Sequence, residues 1–268
     1  MAGMACLLPI NLPGFVFRKA LLARQELLSI YQGLIDRKRA EPPPEAMSMM
    51  DHAMASADQP TDVELLDFAF TMAAAGHDTT LASMQSVLHF LSLHPALHAE
   101  LCAEVDTVWD GSAPVTRELL QRVHKLRAFA LEVLRNCSAV TTMYRKLDAD
   151  AELAGWVLPA GTTVGFGART VMDSYYGDTS EFDIKRFLDQ DGHFLDKVIT
   201  DFARFSAFGL GGRMCIGYKF ALDEMCVFLL NLIQGFDFRV EGEHKLNTFP
   251  FRFWRMKAQF SVRAKPTT

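Results

Sequence analysis

Tryptophan is scarce in this chain of 268 residues: there are 3, against 21 phenylalanines and 13 methionines. Cysteine is sparse as well. Five are present, Cys6, Cys102, Cys137, Cys215 and Cys226, and none forms a CxxC pair. That spacing excludes a disulfide framework and a Cys-rich zinc site, and it is compatible with a reducing compartment. Basic charge is not in excess. The net charge is -5 with 22% charged residues, so the composition offers no footprint for nucleic acid. Long hydrophobic runs are also missing. The apolar stretch Met1 to Leu8 is cut by Pro9 and Pro13, well short of the ~20 residues a spanning helix needs. It lacks the basic start and full apolar middle of a signal peptide. Membrane association is therefore expected only through an N-terminal part absent from this sequence, and no internal repeat is visible.

What the chain does have is apolar mass. Half of it is hydrophobic, 50% by count, which buries a sizeable core and excludes disorder as the main state. The length fits one or two domains. Phe and Met fill irregular apolar spaces, so their abundance is consistent with a roomy greasy pocket.

Periodicity predicts a mainly α protein with a small β part. Leu21, Leu27, Leu28, Tyr31, Leu34 and Ile35 recur at helical spacing over 18–39, closed by Arg37, Lys38 and Arg39 and then by Pro42, Pro43 and Pro44. Residues 45–60 suggest a short Met-rich helix. Thr61 and Glu64 form a capping box that opens a helix over about 62–93; at that length it spans about 45 Å. Further helices are expected over Pro95 to Val108, Leu119 to Arg135 and Gly217 to Ile233. Short strands are expected over Val140 to Leu147 and through the turn from Gly155 to Val164, with a small hairpin in 236–263. Residues 173–213 read as irregular, a length of loop that is often functional.

The densest chemical signal is Phe208-Gly209-Leu210-Gly211-Gly212-Arg213-Met214-Cys215-Ile216-Gly217, just before a helix. A phosphate loop fails, since no Lys-Ser/Thr follows. The alternative is a glycine-rich loop with a cysteine serving as a small hydrophobe. Free N–H groups and the positive end of a helix dipole favour thiolate at such a cysteine. Glycines admit a flat partner, and Arg213 offers a fork for a carboxylate. One thiolate with a carboxylate-binding arginine suits heme iron better than zinc, which needs four ligands.

At these residues the chain resembles the cytochrome P450 family, the heme-thiolate monooxygenases. The pattern FxxGxRxCxG is met at Phe208, Gly211, Arg213, Cys215 and Gly217, and Ala221 and Glu224 follow it. Ala75-Gly76-His77-Asp78-Thr79-Thr80 matches the family's oxygen-activating turn. Gly and paired threonines disfavour a long helix, which suggests a local opening there. Glu132 and Arg135 match ExxR, which alone is only a common i,i+3 pair. The opening Leu8 to Gly14, with Lys19-Ala20 and Ala23-Arg24, is similar to a mid-chain segment of eukaryotic members acting on sterols, retinoids and plant isoprenoid hormones.

The resemblance implies a single, N-terminally truncated P450 domain over 1–268, with its heme-binding loop at about 205–217. It implies Cys215 as axial ligand of heme b, Asp78 and Thr79 as the proton-delivery pair, and Arg213 and Arg145 as propionate partners. Glu132, Arg135 and Arg186 become the scaffold that holds the heme loop. O2, electrons from an NADPH-dependent P450 reductase or another donor, a small hydrophobic substrate and an endoplasmic reticulum setting follow in the same way. Three features depart from the family: Ile184 replaces a usual proline, no proline pair follows Arg135, and Ala168-Arg169 lacks a histidine. Two other readings stand beside the monooxygenase. One is a heme-thiolate isomerase or lyase that rearranges peroxides, which has no need of Asp78 and Thr79; the other is a non-catalytic heme-binding fragment. Pro95 starts the helix between His94 and His98, so that pair reads as polar residues, not metal ligands, and His77 reads as a polar helix residue.

Overall fold

A computed structural model describes residues 9–43, 45, 48–177, 179, 181–201, 204–248 and 253–262. These form two compact units, and the boundary falls inside one helix, between His77 and Asp78.

The first unit holds α1 (Val16–Ala40), α2 (Met49–Met54) and the start of α3 (Asp62–Leu93). Arg37, Lys38 and Arg39 lie in the last turn of α1, where cations complement the carbonyl end of the helix dipole. Lys38 bonds to Asp51, which is itself part of a capping box with Ser48 at the start of α2. The Met-rich segment thus forms one short helix tied to α1. The capping box expected at α3 is present: Thr61 N donates to Glu64 Oε2 at 2.8 Å, and Glu64 N to Thr61 Oγ1 at 3.4 Å.

The second unit packs α4 (Pro95–Val108), α5 (Arg117–Arg122), α6 (His124–Asn136), α7 (Ala168–Tyr176) and α8 (Tyr218–Gly235) with three small antiparallel sheets. Its core is centred on α6, where Leu126, Phe129, Leu131 and Val133 have no exposed surface. Each such side chain contributes roughly 1.5–3 kcal/mol by leaving water. Leu229, Leu230 and Ile233 of α8 belong to the same cluster. Glu104 of α4 accepts from the backbone N–H groups of Lys125 and Leu126 at 2.8 and 2.9 Å, supplying acceptors that the first turn of α6 lacks. Burial raises the Glu104 pKa, and those same bonds hold the rise back.

Several local expectations change. The helix expected over Leu119 to Arg135 is two helices broken at Val123 (φ -92, ψ 73), because the Glu104 cap starts α6 afresh. The turn from Gly155 to Val164 joins two different ladders. β1 (Thr142–Lys146) pairs with β4 (Thr163–Gly167), while β2 (Ala151–Leu153) and β3 (Trp156–Leu158) form the hairpin inside them. The segment read as irregular begins within α7 and carries three 3-10 turns, at Ile184–Phe187, Asp196–Thr200 and Gly211–Arg213. α3 runs helical through Ala75 to Thr80 without the expected opening. The tail hairpin is present as β5 (Phe236–Asn247) and β6 (Phe253–Val262), with a register shift between Glu241 and Lys245. Among the described residues no helix is long and apolar enough to cross a membrane.

His89 of α3 is buried and lies with Nδ1 2.7 Å from Nδ1 of His244 on β5. Burial, aided by His244 and His94, pushes the His89 pKa from 6.5 down to about 4. The folded chain therefore refuses a proton that the unfolded chain accepts below pH 6.5. Stability is full above that pH, falls as the pH drops toward about 4, and levels off below it. Urea midpoints measured across that window will show the decline, and His89→Gln will flatten it. An equal slope in the variant would assign the decline to other groups.

Candidate active site

One cavity of about 250 Å³ lies within the second unit. Thr79, Thr80 and Ser83 of α3 face it, and Leu134, Ala139 and Val140 form an apolar wall at the end of α6. Met143 and Arg145 enter from β1, while Phe208, Gly209, Arg213 and Cys215 come from the glycine-rich loop. Apart from the α3 hydroxyls, the cysteine and the two arginines, the lining is apolar, the environment in which a few placed polar groups act most strongly.

The loop is shaped by backbone bonds. Gly209 N donates to Ser206 O at 2.9 Å, Met214 N to Gly211 O at 3.0 Å, and Cys215 N to Phe208 O at 2.8 Å. Gly209 adopts φ +83, a conformation that favours glycine, and a Cβ there would stand 3.2 Å from Met143 Sδ, which would have to give way by a few tenths of an ångström. Gly211 adopts φ +63, and a Cβ on it or on Gly212 would meet nothing. Cys215 is exposed, two residues before Gly217, the N-cap of α8, so it flanks the helix start and does not sit in its first turn. Arg145 donates to the carbonyls of Tyr144 at 2.8 Å and Leu210 at 3.3 Å, which ties β1 to the loop. Arg213 is exposed and makes no ion pair among the described residues.

Thr79, Arg145, Phe208, Arg213 and Cys215 therefore share one cavity, although 136 residues separate the first from the last (215 − 79). Asp78 lies beside Thr79 on α3 but outside the lining, as do Gly211 and Gly217. His77 is exposed, and His94 is the N-cap of α4, outside the helix that carries His98.

A second cluster lies in the core of the same unit. Arg135 donates to Glu132 through Nε and Nη2, both at 2.7 Å, and neither side chain has exposed surface. Burial lowers the Arg135 pKa, but the bonds and charge of Glu132 and the charge of Asp173 outweigh it and leave the pKa raised. Glu132 Oε1 also accepts from Asp183 N at 3.0 Å and Asn136 Nδ2 at 3.1 Å, and Arg186 Nε stands 3.8 Å away. The three expected scaffold residues thus meet around one carboxylate. Sequence reading missed Asp173, whose carboxylate takes Arg135 Nη1 at 3.1 Å and Arg169 Nε at 3.2 Å. The i,i+4 spacing of Arg169 and Asp173 was the signal available for it.

The model of the cytochrome P450 family matches residues 4–264. The chain belongs to the cytochrome P450 family. It is 27% identical to cytochrome P450 85A1 of Brachypodium distachyon, covering 91% of this chain and 52% of that protein. It is 33% identical to pentalenene oxygenase of Streptomyces avermitilis, over 68% of this chain and 40% of the relative. Beta-amyrin 11-oxidase of Glycyrrhiza uralensis is 26% identical, with 51% of its length covered. Among solved structures, retinoic acid-bound cyanobacterial CYP120A1 superposes with a TM-score of 0.82 at 26% identity, covering 96% of this chain and 60% of that one. The P450 fold is thereby confirmed, and the chain spans about half the length of the curated relatives it matches.

The family implies heme, and the donor set suits it. The cavity offers one thiol as a soft ligand, two guanidinium groups for carboxylates, and apolar walls for a flat ring.

Proposed function

We propose that this chain carries the heme-holding and oxygen-activating part of a P450 monooxygenase acting on a hydrophobic small molecule of the sterol, retinoid or isoprenoid class. The carrying observation is the single cavity that gathers Thr79, Arg145, Phe208, Arg213 and Cys215. Cys215 Sγ would hold the iron, Arg213 and Arg145 would pair with the carboxylates of the heme, and Phe208 and Met143 offer apolar surface for its ring. Heme, when bound, supplies the iron centre at which O2 is activated to insert one oxygen atom into a C–H bond. Thr79 Oγ1 delivers a proton into the cavity, and Asp78, one residue earlier on α3, passes it in from solvent. Leu134, Ala139, Val140 and Met225 give the cavity apolar walls.

The class of substrate rests on the relatives, which include a pentalenene oxygenase and a beta-amyrin 11-oxidase. Electrons come from an NADPH-dependent reductase. An endoplasmic reticulum setting belongs to the same proposal and rests on the plant relatives alone.

The test is a reduced, carbon-monoxide difference spectrum of the purified chain loaded with heme. A red-shifted Soret band, characteristic of thiolate ligation, is the expected result; a blue-shifted band or no heme uptake would leave the chain a non-catalytic fragment. Where turnover is measurable, Thr79→Ala will keep reductant consumption but lower product per reductant on the order of tenfold. Unchanged coupling would favour a peroxide isomerase or lyase, which does not need that hydroxyl.

A further inference from the structure

The buried Glu132–Arg135 pair lines no part of the cavity, yet a continuous chain of bonds joins it to Cys215. We propose that α7 is the relay along that chain and that Asp173 is its positioning residue; the proposal rests on the reading of Cys215 as the heme ligand.

Two bonds fasten α7 to α6. Arg135 Nη1 donates to Asp173 Oδ1 at 3.1 Å, and Arg169 Nη1 donates to the Asn136 carbonyl at 3.2 Å. Two more fasten the entry of the cysteine loop to α7. Ser206, with no exposed surface, donates to the Ala168 carbonyl at 2.7 Å, and Arg204 Nε donates to Tyr175 Oη at 2.7 Å. From Ser206 the path runs through its carbonyl to Gly209 N, then from Phe208 O to Cys215 N. Phe205, beside Ser206, packs its ring 5.8 Å from that of Phe208, so apolar contact follows the same route.

Charge explains why Asp173 is the pivot. Glu132 faces Arg135 and Arg186, and Arg169 stands across Asp173 from Arg135. Without Asp173 this cluster holds three cations and one anion. Glu132 occupies Nε and Nη2 of Arg135, so Asp173 supplies the acceptor for Nη1. Arg135 is fully buried and needs its donors matched, so the orientation of α7 is set by that demand even though Arg169 and Asp173 are about a third exposed. Because the loop hangs from both ends of α7, at Ala168 and Tyr175, the helix orientation becomes the loop position.

The experiment is amide hydrogen exchange at Cys215 in the heme-free chain, for wild type, Asp173→Asn, Asp173→Glu, Ser206→Ala and Asp173→Asn with Ser206→Ala. Asp173→Asn and Ser206→Ala will each speed exchange at Cys215 about fivefold or more, while the double variant adds little, because both break one path. Asp173→Glu will restore most of the protection. The Cys226 amide in α8 will stay slow in all variants, which separates loop release from unfolding. In heme-loaded protein, Asp173→Asn will lower the thiolate-type share of the carbon-monoxide band with total heme uptake unchanged. Unchanged exchange at Cys215, or effects that multiply independently in the double variant, would overturn the relay. A wild-type chain that takes up no heme would refute the heme reading, and the exchange data, which need no heme, would still decide the relay.

Discussion

Cys215→Ala will leave the chain folded and remove the red-shifted carbon-monoxide band completely. Both halves follow from how the residue is held. Its side chain is exposed, and its bond into the loop runs from the backbone N–H to Phe208 O at 2.8 Å, which alanine keeps. A surface replacement of that kind changes stability by about 0.5 kcal/mol or less. No other described cysteine lines the cavity, so no second thiol can take the place of Sγ. Cys226 is the nearest in sequence, but burial pushes its pKa up to about 12 and keeps it a neutral thiol packed in α8. The measurements are the difference spectrum and a urea unfolding curve on the same preparation. A red-shifted band that survives in the variant would withdraw Cys215 as the ligand.

The second large effect is structural. Arg135→Leu or Glu132→Ala will cost about 3–5 kcal/mol, because each takes the principal partner from a fully buried charge and leaves only the weaker ones, Arg186 for Glu132 and Asp173 for Arg135. That is a large fraction of the 5–15 kcal/mol that holds a typical domain together, so low soluble yield and a strongly lowered urea midpoint are expected. Even the near-isosteric Glu132→Gln will be damaging. Oε1 accepts from Arg135, Asn136 and the backbone of Asp183, and an amide offers donors where donors already converge. Combining Glu132→Gln with Arg135→Leu will recover part of the loss, since the stranded charge is then gone. A single-variant cost below about 1 kcal/mol would mean that water reaches the pair.

Much of the fold was legible because its signals are local. Thr61 and Glu64 mark the start of α3, Pro95 the start of α4, and both boundaries agree with the expected ones. The cysteine loop was legible because its chemistry is compressed into ten residues, where glycine, arginine and cysteine cannot serve an ordinary core. α7 was not. Its residues, ARTVMDSYY, do place Ala168, Val171, Met172, Tyr175 and Tyr176 at helical spacing, but the stripe covers only nine residues and runs on into an irregular stretch. The split at Val123 was hidden because the cap of α6 comes from Glu104, on a different helix. Strand pairing was not legible for a related reason. Gly161 marks a turn, but whether β4 folds back on β3 or on β1 depends on a partner about twenty residues away.

The sequence by itself determined the family, the length of α3 and the identity of the residues with chemistry to offer. Each of those rests on residues close together in the chain, where propensity, capping and donor type act without outside help. Only the tertiary structure decided which of them meet. It put Thr79, Arg145 and Cys215 on one cavity and left Asp78, one residue from Thr79, outside the lining. It also made Asp173 a partner of Arg135 across 38 residues. A buried guanidinium must find an acceptor for every donor, and where those acceptors come from is settled by packing, not by spacing.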